Sequence, residues 1–347
     1  MSKVVVGISG GVDSAVAAIL LKEKGYEVIG VTFIFTDEFN SSDAINVCKK
    51  LNIEHHILDY RKIFKEQVID KFIKDYNTGI TPNPCILCNR IVKFNFLYES
   101  MLKFNADYFA TGHYARVLNG RLYKSNDLNK DQTYFLSNVS KDQLSKVLFP
   151  LDGIKKEKVR EIASEYGLLN ANKKDSTDVC FITSNFKDYI KDKITNKSGD
   201  VINISTNEKI GTHNGLNKYT IGQRRGLNIG GTETRMYVVG KNIDKNILYI
   251  ATGDDNEYLI STSCILENVN LFSDEKIHSC NAKFRYRQEE IPVKINWLTD
   301  NSVEVIYNGV KSVTPGQACV FYKKNECLGG GIIKEVRKDN EKLWYLN

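Results

Sequence analysis

The sequence predicts an α/β protein whose first half is a doubly wound parallel sheet and whose second half is rich in β-strands. Apolar, β-branched runs alternate with segments of helical spacing up to about residue 168. Regular alternation of this kind is typical of a parallel sheet covered by helices. From about residue 197 the pattern changes to short strands separated by Gly and Asn turns. The length of 347 residues also exceeds what one hydrophobic core usually serves, which favours two or three domains.

The strands and helices of the first half follow one another in order. The run KVVVGIS predicts a buried strand, and DSAVAAILLKEKG predicts the first helix, ending at Gly25. Further strands are predicted at residues 27–35, 53–60 and 106–117. Further helices are predicted at residues 42–52, 62–76, 91–105, 141–153 and 155–168. Two cysteines lie in a predicted loop between the third and fourth helices.

The change of pattern places domain boundaries near residues 197 and 260. The stretch NKSGDVINISTNEKIGTHNG is polar and turn-rich, and RMYVVGKNIDKNILYIATG reads as a pair of short strands. The later runs VKINWL and VEVIYN fit small antiparallel strands. We therefore expect domains at residues 1–197, 198–260 and 261–347.

Composition excludes several classes of protein. Charged residues make up 26% and hydrophobic residues 42%, which fits an ordinary soluble globular protein. No apolar run approaches the roughly 20 residues that cross a bilayer, and the N-terminus does not read as a signal peptide. Eight cysteines in a chain of this length are not a disulfide framework, so we expect a cytoplasmic protein with no membrane partner. The net charge of +6 allows a phosphate-rich partner without requiring one.

The turn SGGVDS, from Ser9 to Ser14, carries the first chemical signal. Small residues between a strand and a helix let backbone N–H groups form an anion-binding nest, to which the helix dipole adds. Ser9 and Ser14 could donate hydroxyls to phosphate, and Asp13 could hold a magnesium ion that bridges phosphates. The pattern is neither the Gly-Lys-Ser/Thr loop nor Gly-x-Gly-x-x-Gly. It resembles the pyrophosphate loop of N-type ATP pyrophosphatases; the alternative is a turn without a ligand.

The cysteines carry the second signal. We expect Asn89 to cap a helix that starts at Arg90, which would put Cys88 at a positive helix end and lower its thiol pKa. Cys85 would lie one step further out in the loop. Cys180 follows a polar loop rather than an apolar stripe, which is consistent with a third active-site cysteine.

Other interpretations of the cysteines remain open from the residues alone. Half a zinc site would need a second ligand pair that the sequence does not supply. A thioredoxin motif would sit at the start of a helix after a first strand. Packing is the interpretation we adopt for Cys48, Cys264, Cys280, Cys319 and Cys327.

Taken together, these residues resemble the bacterial tRNA-uridine 2-sulfurtransferases, the tRNA 2-thiouridylases. The resemblance runs nearly from end to end. Its landmarks are GISGGVDSAVAA, TPNPCILCNRIVKF, ATGHYAR, KDQTYFL, DSTDVCFI, YTIGQRRGL and TPGQACVFY. It implies an N-terminal pyrophosphate-loop domain like the adenine nucleotide alpha hydrolases, a small β-rich central domain and a C-terminal antiparallel β-barrel.

The resemblance also implies a role for individual residues. ATP and Mg²⁺ would be bound by Gly7, Ile8, Ser9, Gly10, Gly11, Val12, Asp13 and Ser14, with Phe33 and Gly112 near the nucleotide. Cys88 would be the nucleophile, and Cys180 would carry a persulfide and form a transient disulfide with Cys88. The target base would face Asn83, Pro84 and Cys85. The rest of the tRNA would contact His113, Lys130, Asp131, Gln132, Tyr286, Arg287 and Gln317.

These roles have alternatives of their own. His113 could be a hydrogen-bonded structural histidine, and Arg285 with Arg287 could be a solvated strand face. The implied reaction is adenylation of the uridine C2 oxygen followed by sulfur transfer to C2, on the wobble uridine of tRNAs for Lys, Glu and Gln. A cysteine desulfurase or a sulfur-relay protein is the implied sulfur donor.

Cys85 departs from the family pattern, in which many members carry Asp. Cys85, Cys88 and Cys180 could therefore hold three irons of a [4Fe–4S] cluster, with the fourth iron binding sulfide. A persulfide relay is our hypothesis and the cluster is the alternative. Two rival functions remain: another ligase or amidotransferase with this loop, which would not need the cysteines, and a non-enzymatic RNA-binding or metal-storing protein, which would not need Asp13.

Overall fold

The computed structural model describes residues 1–171, 193, 197–227 and 234–346. Cys180, the predicted persulfide carrier, lies outside these described residues. No helix in the described part of the chain is long and apolar enough to cross a membrane.

Seven strands lie within the described residues 1–171. They are β1 (Lys3–Gly7), β2 (Glu27–Ile34), β3 (Glu54–Asp59), β4 (Tyr108–Ala110), β5 (Ala115–Leu118), β6 (Arg121–Lys124) and β7 (Val147–Leu148). Five of them form one parallel sheet in the order β3-β2-β1-β4-β7. The chain order reverses beside β1, and in open α/β sheets ligands bind at such a switch point, outside the carboxyl ends of the strands.

Helices cover both faces of this sheet. They are α1 (Val12–Glu23), α2 (Ser42–Leu51), α3 (Arg61–Phe64), α4 (Asp70–Asn77), α5 (Pro84–Cys88), α6 (Phe94–Lys103), α7 (Thr133–Leu136), α8 (Lys141–Lys146) and α9 (Lys156–Glu165). Along β1, Val5 packs into the core that contains α4 and α6, while Val4 and Val6 pack into the core that contains α1, α2 and α9. The predicted doubly wound sheet is therefore confirmed.

Residues 106–117 and 141–153 differ from the prediction. Residues 106–117 were predicted as one strand, but they form β4 and then β5, because the chain turns between them. The helix predicted at 141–153 ends at Lys146, and Val147–Leu148 pairs with β4 as the edge of the parallel sheet. These two residues are apolar, and pairing with a buried strand stabilises them more than continuing an exposed helix.

The second half contains two further sheets. A four-stranded sheet in the order β10-β11-β8-β9 is built from β8 (Gly199–Asn203), β9 (Lys209–His213), β10 (Met236–Asn242) and β11 (Ile247–Thr252). The remaining strands are β12 (Ile260–Leu271), β13 (Ser279–Lys283), β14 (Ile291–Thr299), β15 (Ser302–Lys311), β16 (Ala318–Lys323), β17 (Glu326–Lys338) and β18 (Glu341–Lys342). Since β12 pairs with both β15 and β17, six antiparallel strands close into a barrel, as expected.

A hairpin from the first half extends the barrel. Strands β5 and β6 pair with each other, and Leu122 of β6 pairs with Cys327 of β17. The hairpin follows the turn that ends β4. The N-terminal domain and the barrel therefore share one sheet, which fixes the barrel relative to the carboxyl edge of the parallel sheet.

Candidate active site

The turn between β1 and α1 has the shape of an anion-binding loop. Gly10 has φ of +80°, and a Cβ there would lie 2.9 Å from Asp43 Cβ, so this position needs glycine. Gly11 is the N-cap of α1 and supplies no capping side chain. The first N–H groups of the helix are therefore not capped by the N-cap side chain, which is the arrangement that favours an anion.

Two hydroxyls fix the loop internally. Ser9 Oγ and Ser14 Oγ lie 3.2 Å apart, and Ser14 Oγ donates to the Gly11 carbonyl oxygen at 3.0 Å. Ser14 Oγ also accepts from the Ser9 N–H at 3.2 Å. Ile8 and Val12 are buried in the core, so they contribute their backbone to the loop rather than their side chains. Hydrogen bonds within the loop itself therefore support its conformation.

Gly112 brings the end of β4 against the start of α1. A Cβ on Gly112 would lie 2.7 Å from the Asp13 carbonyl carbon and 2.7 Å from Ser14 N, both backbone atoms. The close approach therefore requires glycine. It places the segment after β4 beside the loop, at the switch point of the sheet.

Asp13 is held by two residues that sequence reasoning missed. Lys156 Nζ lies 2.7 and 2.8 Å from the two carboxylate oxygens, and the Tyr114 hydroxyl donates to Oδ1 at 2.9 Å. Lys156 opens α9, and its side chain is only 8% exposed, while that of Asp13 is 31% exposed. The helical pattern predicted α9, but nothing local in the sequence indicates that its first residue pairs with a carboxylate 143 positions away.

Two amides complete this network. Gln132 Oε1 accepts the Tyr114 N–H at 2.8 Å, which fixes the tyrosine that contacts Asp13. Asn170 Nδ2 donates to the Gly10 carbonyl oxygen at 2.9 Å. Gln132 was predicted to contact tRNA; here it bonds a residue of the Asp13 network.

His113 lies between the loop and α6. It follows Gly112, its Nδ1 is 2.9 Å from Thr111 Oγ1, and its ring is 5.8 Å from that of Phe94 in α6. Burial, together with the nearby Lys93 charge, lowers the pKa of His113 to about 3. The imidazole is therefore neutral at pH 7.

The two cysteines of the motif lie on a helix, which corrects the predicted loop. Helix α5 (Pro84–Cys88), called the cysteine helix below, begins at Pro84 with Asn83 as N-cap. It continues through a π-helical turn (Asn89–Lys93) into α6. Asn89 does not cap a helix; it is buried, and its Nδ2 donates to the Phe135 carbonyl oxygen at 3.0 Å. The prediction of Cys88 at a helix N-terminus was therefore wrong.

The correction moves the helix-dipole argument from one thiol to the other. Cys85 is the second helical residue and is half-buried, whereas Cys88 closes α5 and is 2% exposed. The dipole effect fades within the first turn, so it acts on Cys85 more than on Cys88. Residues three apart share a helix face, which brings both thiols to one side of α5.

Phe33 lies where the sequence places it, at the carboxyl end of β2. Its ring packs among aromatic residues, 5.5 Å from Tyr60 and 6.0 Å from Phe96. Tyr60 and Phe96 stack with centroids 3.8 Å apart. This aromatic group flanks the sheet edge that carries the loop.

The residues expected to contact tRNA are distributed along the seam between the N-terminal domain and the barrel. Asp131 is buried, and its carboxylate accepts the Ser125 N–H and the Thr133 hydroxyl. The Tyr286 ring lies 4.4 Å from that of Phe135. Gln317 donates to the Thr81 carbonyl oxygen at 2.7 Å. Lys130 is partly buried and Arg287 is exposed.

Arg285 is a structural residue rather than part of a solvated strand face. It lies beyond the end of β13, so it does not alternate with Arg287 along a strand. Its guanidinium donates to the carbonyl oxygens of Ile221 and Ser312, each at 2.8 Å. Burial lowers its pKa. The arginine joins the central sheet to the barrel.

The remaining described cysteines behave as packing residues. Burial raises the pKa of Cys48 and of Cys280 to about 12 and raises those of Cys264, Cys319 and Cys327 further. Thiols with raised pKa values are poor nucleophiles at neutral pH. No disulfide joins the described cysteines to one another.

Comparison with known proteins covers almost the whole chain. Three family models match: "tRNA methyl transferase HUP domain" over residues 2–184, "tRNA methyl transferase PRC-barrel domain" over 187–252 and "Aminomethyltransferase beta-barrel domain" over 261–333. The chain is 45% identical to the tRNA-specific 2-thiouridylases MnmA of Bacillus licheniformis and Bacillus subtilis, over 99% of its own length and 98% of theirs. The chain belongs to the tRNA-specific 2-thiouridylase family.

Membership of the 2-thiouridylase family confirms the resemblance and the fold. The HUP match confirms the predicted ATP-binding class of the N-terminal domain, while the magnesium site and the cluster stay predictions. Among solved structures, a 4-thiouridine synthetase–RNA complex with bound ATP is 21% identical over 55% of this chain and 49% of that one, with a TM-score of 0.36. A likeness of that size says nothing about function. The domain boundaries near 197 and 260 and the individual site roles stay predictions.

Proposed function

We propose that this chain transfers sulfur to C2 of the wobble uridine of tRNA in an ATP-dependent reaction that releases AMP and pyrophosphate. The observation that carries the proposal is the 45% identity to 2-thiouridylases over 99% of the chain. The pyrophosphate loop and the cysteine helix supply the groups that the two halves of this reaction need.

Adenylation is assigned to the loop. The C2 oxygen of uridine attacks the α-phosphorus of ATP, and pyrophosphate leaves with the β- and γ-phosphates. The loop N–H groups and the hydroxyls of Ser9 and Ser14 are suited to those phosphates. Asp13 supplies the carboxylate that Mg²⁺ prefers. Asp13 would hold the Mg²⁺, and Lys156, which contacts both oxygens of that carboxylate, would supply a positive charge beside the phosphates.

Sulfur transfer is assigned to Cys180 and Cys88. The terminal sulfur of a persulfide on Cys180 attacks C2, and the C2–O bond breaks as AMP leaves. The Cys88 thiolate then attacks Cys180 Sγ, which breaks the S–S bond, leaves sulfur on C2 and forms a Cys88–Cys180 disulfide. A thiol reductant returns the two electrons after each cycle. Alternatively, Cys88 attacks the persulfide first and releases sulfide as the nucleophile.

A [4Fe–4S] cluster is the alternative sulfur carrier. Cys85 and Cys88 share one face of α5, so two of its three ligands would come from a single helical turn. Within the described residues no group of three His, Cys, Asp or Glu side chains could hold a metal. Cys180, the third ligand, lies outside them. When bound, the cluster would supply an open iron for sulfide.

The partners follow from the same proposal. The substrate is tRNA, with the Lys, Glu and Gln isoacceptors as the expected choices. The base must leave its stack to reach the loop. Asn83, Pro84 and Cys85 would face it, and the two β domains would hold the backbone. A cysteine desulfurase or a relay protein would supply the persulfide.

The test is thiolation of unmodified tRNA under anaerobic conditions. The reaction contains ATP, Mg²⁺, a desulfurase with cysteine and the protein, with and without iron reconstitution, and nucleoside mass spectrometry counts 2-thiouridine. Wild type should form it, and Cys88→Ser and Cys180→Ser should not. If the serine variants still release pyrophosphate and modify another substrate, the ligase alternative holds. If the single substitution Cys85→Ala also abolishes thiolation, the result favours the cluster alternative over the persulfide relay.

A further inference from the structure

A buried lysine of the central sheet donates to the main chain just before the cysteine helix. Lys241, at the end of β10, is 5% exposed, and its Nζ lies 3.2 Å from the Gly79 carbonyl oxygen. Among the described residues, this oxygen is the hydrogen-bond acceptor of the ammonium. A buried cation with a single neutral acceptor costs free energy, so the contact needs an explanation.

Gly79 ends the preceding helix. It has φ of +73°, and its N–H donates to the Tyr76 carbonyl oxygen at 3.0 Å just past α4. A Cβ on Gly79 would lie 1.9 Å from Ile243 Cδ1 of the central domain. The ammonium of Lys241 therefore lies near the negative end of α4, where a cation is favoured.

The barrel holds the same segment from a second point. Gln317 Nε2 donates to the Thr81 carbonyl oxygen at 2.7 Å. A Cβ on Gly316 would lie 2.0 Å from Ile80 Cγ2. The turn that carries both residues is fixed to β17, since the Gly316 N–H donates to the Ile333 carbonyl oxygen at 2.8 Å.

The central domain and the barrel are also joined to each other close to residues 79–81. Arg285 joins the Ile221 carbonyl oxygen of the central domain to the Ser312 carbonyl oxygen of the barrel. It also donates to the Thr314 hydroxyl, in the turn that leads to Gly316. The central domain and the barrel therefore hold residues 79–81 as one unit. Asn83, the N-cap of the cysteine helix, follows two positions later.

We propose that Lys241 and Gln317 are positioning residues that set where the cysteine helix begins, and thereby place Cys85 and Cys88 for sulfur transfer. Each acts through a main-chain carbonyl rather than by touching the reacting atoms. Because the two residues come from the β domains, the placement of the thiols is coupled to the domains that would hold the tRNA. This inference rests on the proposed function.

Burial makes Lys241 a residue kept for position rather than stability. Desolvation lowers its pKa to about 8, so the folded protein bears a cost for the charged form. Replacing it with methionine removes that cost and keeps most of the volume. Lys241→Met should therefore keep or raise the melting temperature. A purely structural lysine would instead lower the melting temperature when replaced.

The test compares Lys241→Met and Gln317→Met with Lys245→Met, an exposed lysine four residues away. Thiolation kinetics give kcat and the KM for ATP, and differential scanning calorimetry gives the melting temperature. The rate of iodoacetamide alkylation at Cys85, located by fragmentation of its tryptic peptide, reports thiol placement without any turnover. Lys241→Met should lower kcat roughly tenfold, leave the KM for ATP within about twofold and alter the alkylation rate.

The outcomes separate this inference from the proposed function. Lys245→Met should match wild type in every measurement. Wild-type kcat and wild-type alkylation in Lys241→Met would overturn the inference, whatever its stability. A lower melting temperature of Lys241→Met accompanying the lower kcat would also overturn it, because the lysine would then be a folding residue. If wild type forms no 2-thiouridine, the proposed function fails, and the alkylation rates still decide whether Lys241 sets the thiol position.

Discussion

The ion pair between Asp13 and Lys156 predicts an asymmetric response to mutation. The ammonium lies 2.7 and 2.8 Å from the carboxylate oxygens. At an effective dielectric constant of about 20, unit charges about 2.8 Å apart attract by roughly 6 kcal/mol before desolvation is counted. The Lys156 side chain is 8% exposed and the Asp13 side chain is 31% exposed. Removing the carboxylate therefore takes two close oxygen contacts from the more buried of the two charges.

We expect Asp13→Asn to destabilise the protein by about 3 kcal/mol and Lys156→Met by about 1–2 kcal/mol. In Lys156→Met the carboxylate keeps the Tyr114 hydroxyl and its access to water. The double variant should lose less than the sum of the two, with a coupling free energy of about 1–3 kcal/mol. Urea unfolding of the four proteins, followed by circular dichroism without nucleotide, measures all three values.

An equal loss of stability in Lys156→Met and Asp13→Asn would contradict this expectation, because burial would then not decide which charge loses more when the other is removed. Additive losses would also refute it, since they would mean that the two charges do not interact. A functional readout accompanies the stability. If Lys156 supplies a positive charge to the phosphates, Lys156→Met should raise the KM for ATP in pyrophosphate release, whereas Lys158→Met, on the exposed face of α9, should not.

Three further predictions concern Gly112, His113 and Lys241. Gly112→Ala puts a Cβ 2.7 Å from Ser14 N, so we expect a loss of about 2 kcal/mol or more in urea unfolding, and pyrophosphate release should fall with it. An unchanged midpoint would contradict the close approach. His113 should stay neutral down to about pH 4, because burial lowers its pKa to about 3. The NMR chemical shifts of its imidazole protons should therefore stay constant above about pH 4. Lys241 binds a proton below about pH 8 when folded and below about 10.5 when unfolded, so stability should rise with pH across that window. Lys241→Met should flatten this rise in melting temperature.

The pyrophosphate loop could be predicted from local sequence patterns. A buried strand, two glycines and a helix lie within a few residues, and the contacts that fix Ser9 and Ser14 are local as well. The partners of Asp13 are not local. Tyr114 lies 101 residues away and Lys156 lies 143 residues away, and they meet Asp13 only because β4 and α9 pack beside α1. The sequence predicts Tyr114 inside a strand and Lys156 at a helix start, with no sign of the shared carboxylate.

The start of the cysteine helix shows how one signal supports two interpretations. The residue before a proline avoids the helical region, and Asn83 does have extended dihedral angles. The same proline is well suited to the first position of a helix, because its fixed φ suits the helix and its missing N–H would be unpaired there. The extended conformation expected before a proline is found at Asn83, but Cys85 and Cys88 lie on a helix and not in the predicted loop. Sequence alone does not decide between them, because the contacts that hold residues 79–81 come from the other two domains.

The two halves of the proposed reaction are therefore held in different ways. The pyrophosphate loop is fixed by its own hydroxyls and by the parallel sheet, so the adenylating groups keep their geometry within one domain. The main chain just before the cysteine helix is held by the two β domains, which donate to the carbonyl oxygens of Gly79 and Thr81. Both halves of the proposed reaction need the tRNA uridine in place, because adenylation and sulfur transfer act on the same base. The placement of Cys85 and Cys88 would depend in addition on the contacts that the two β domains make with residues 79–81.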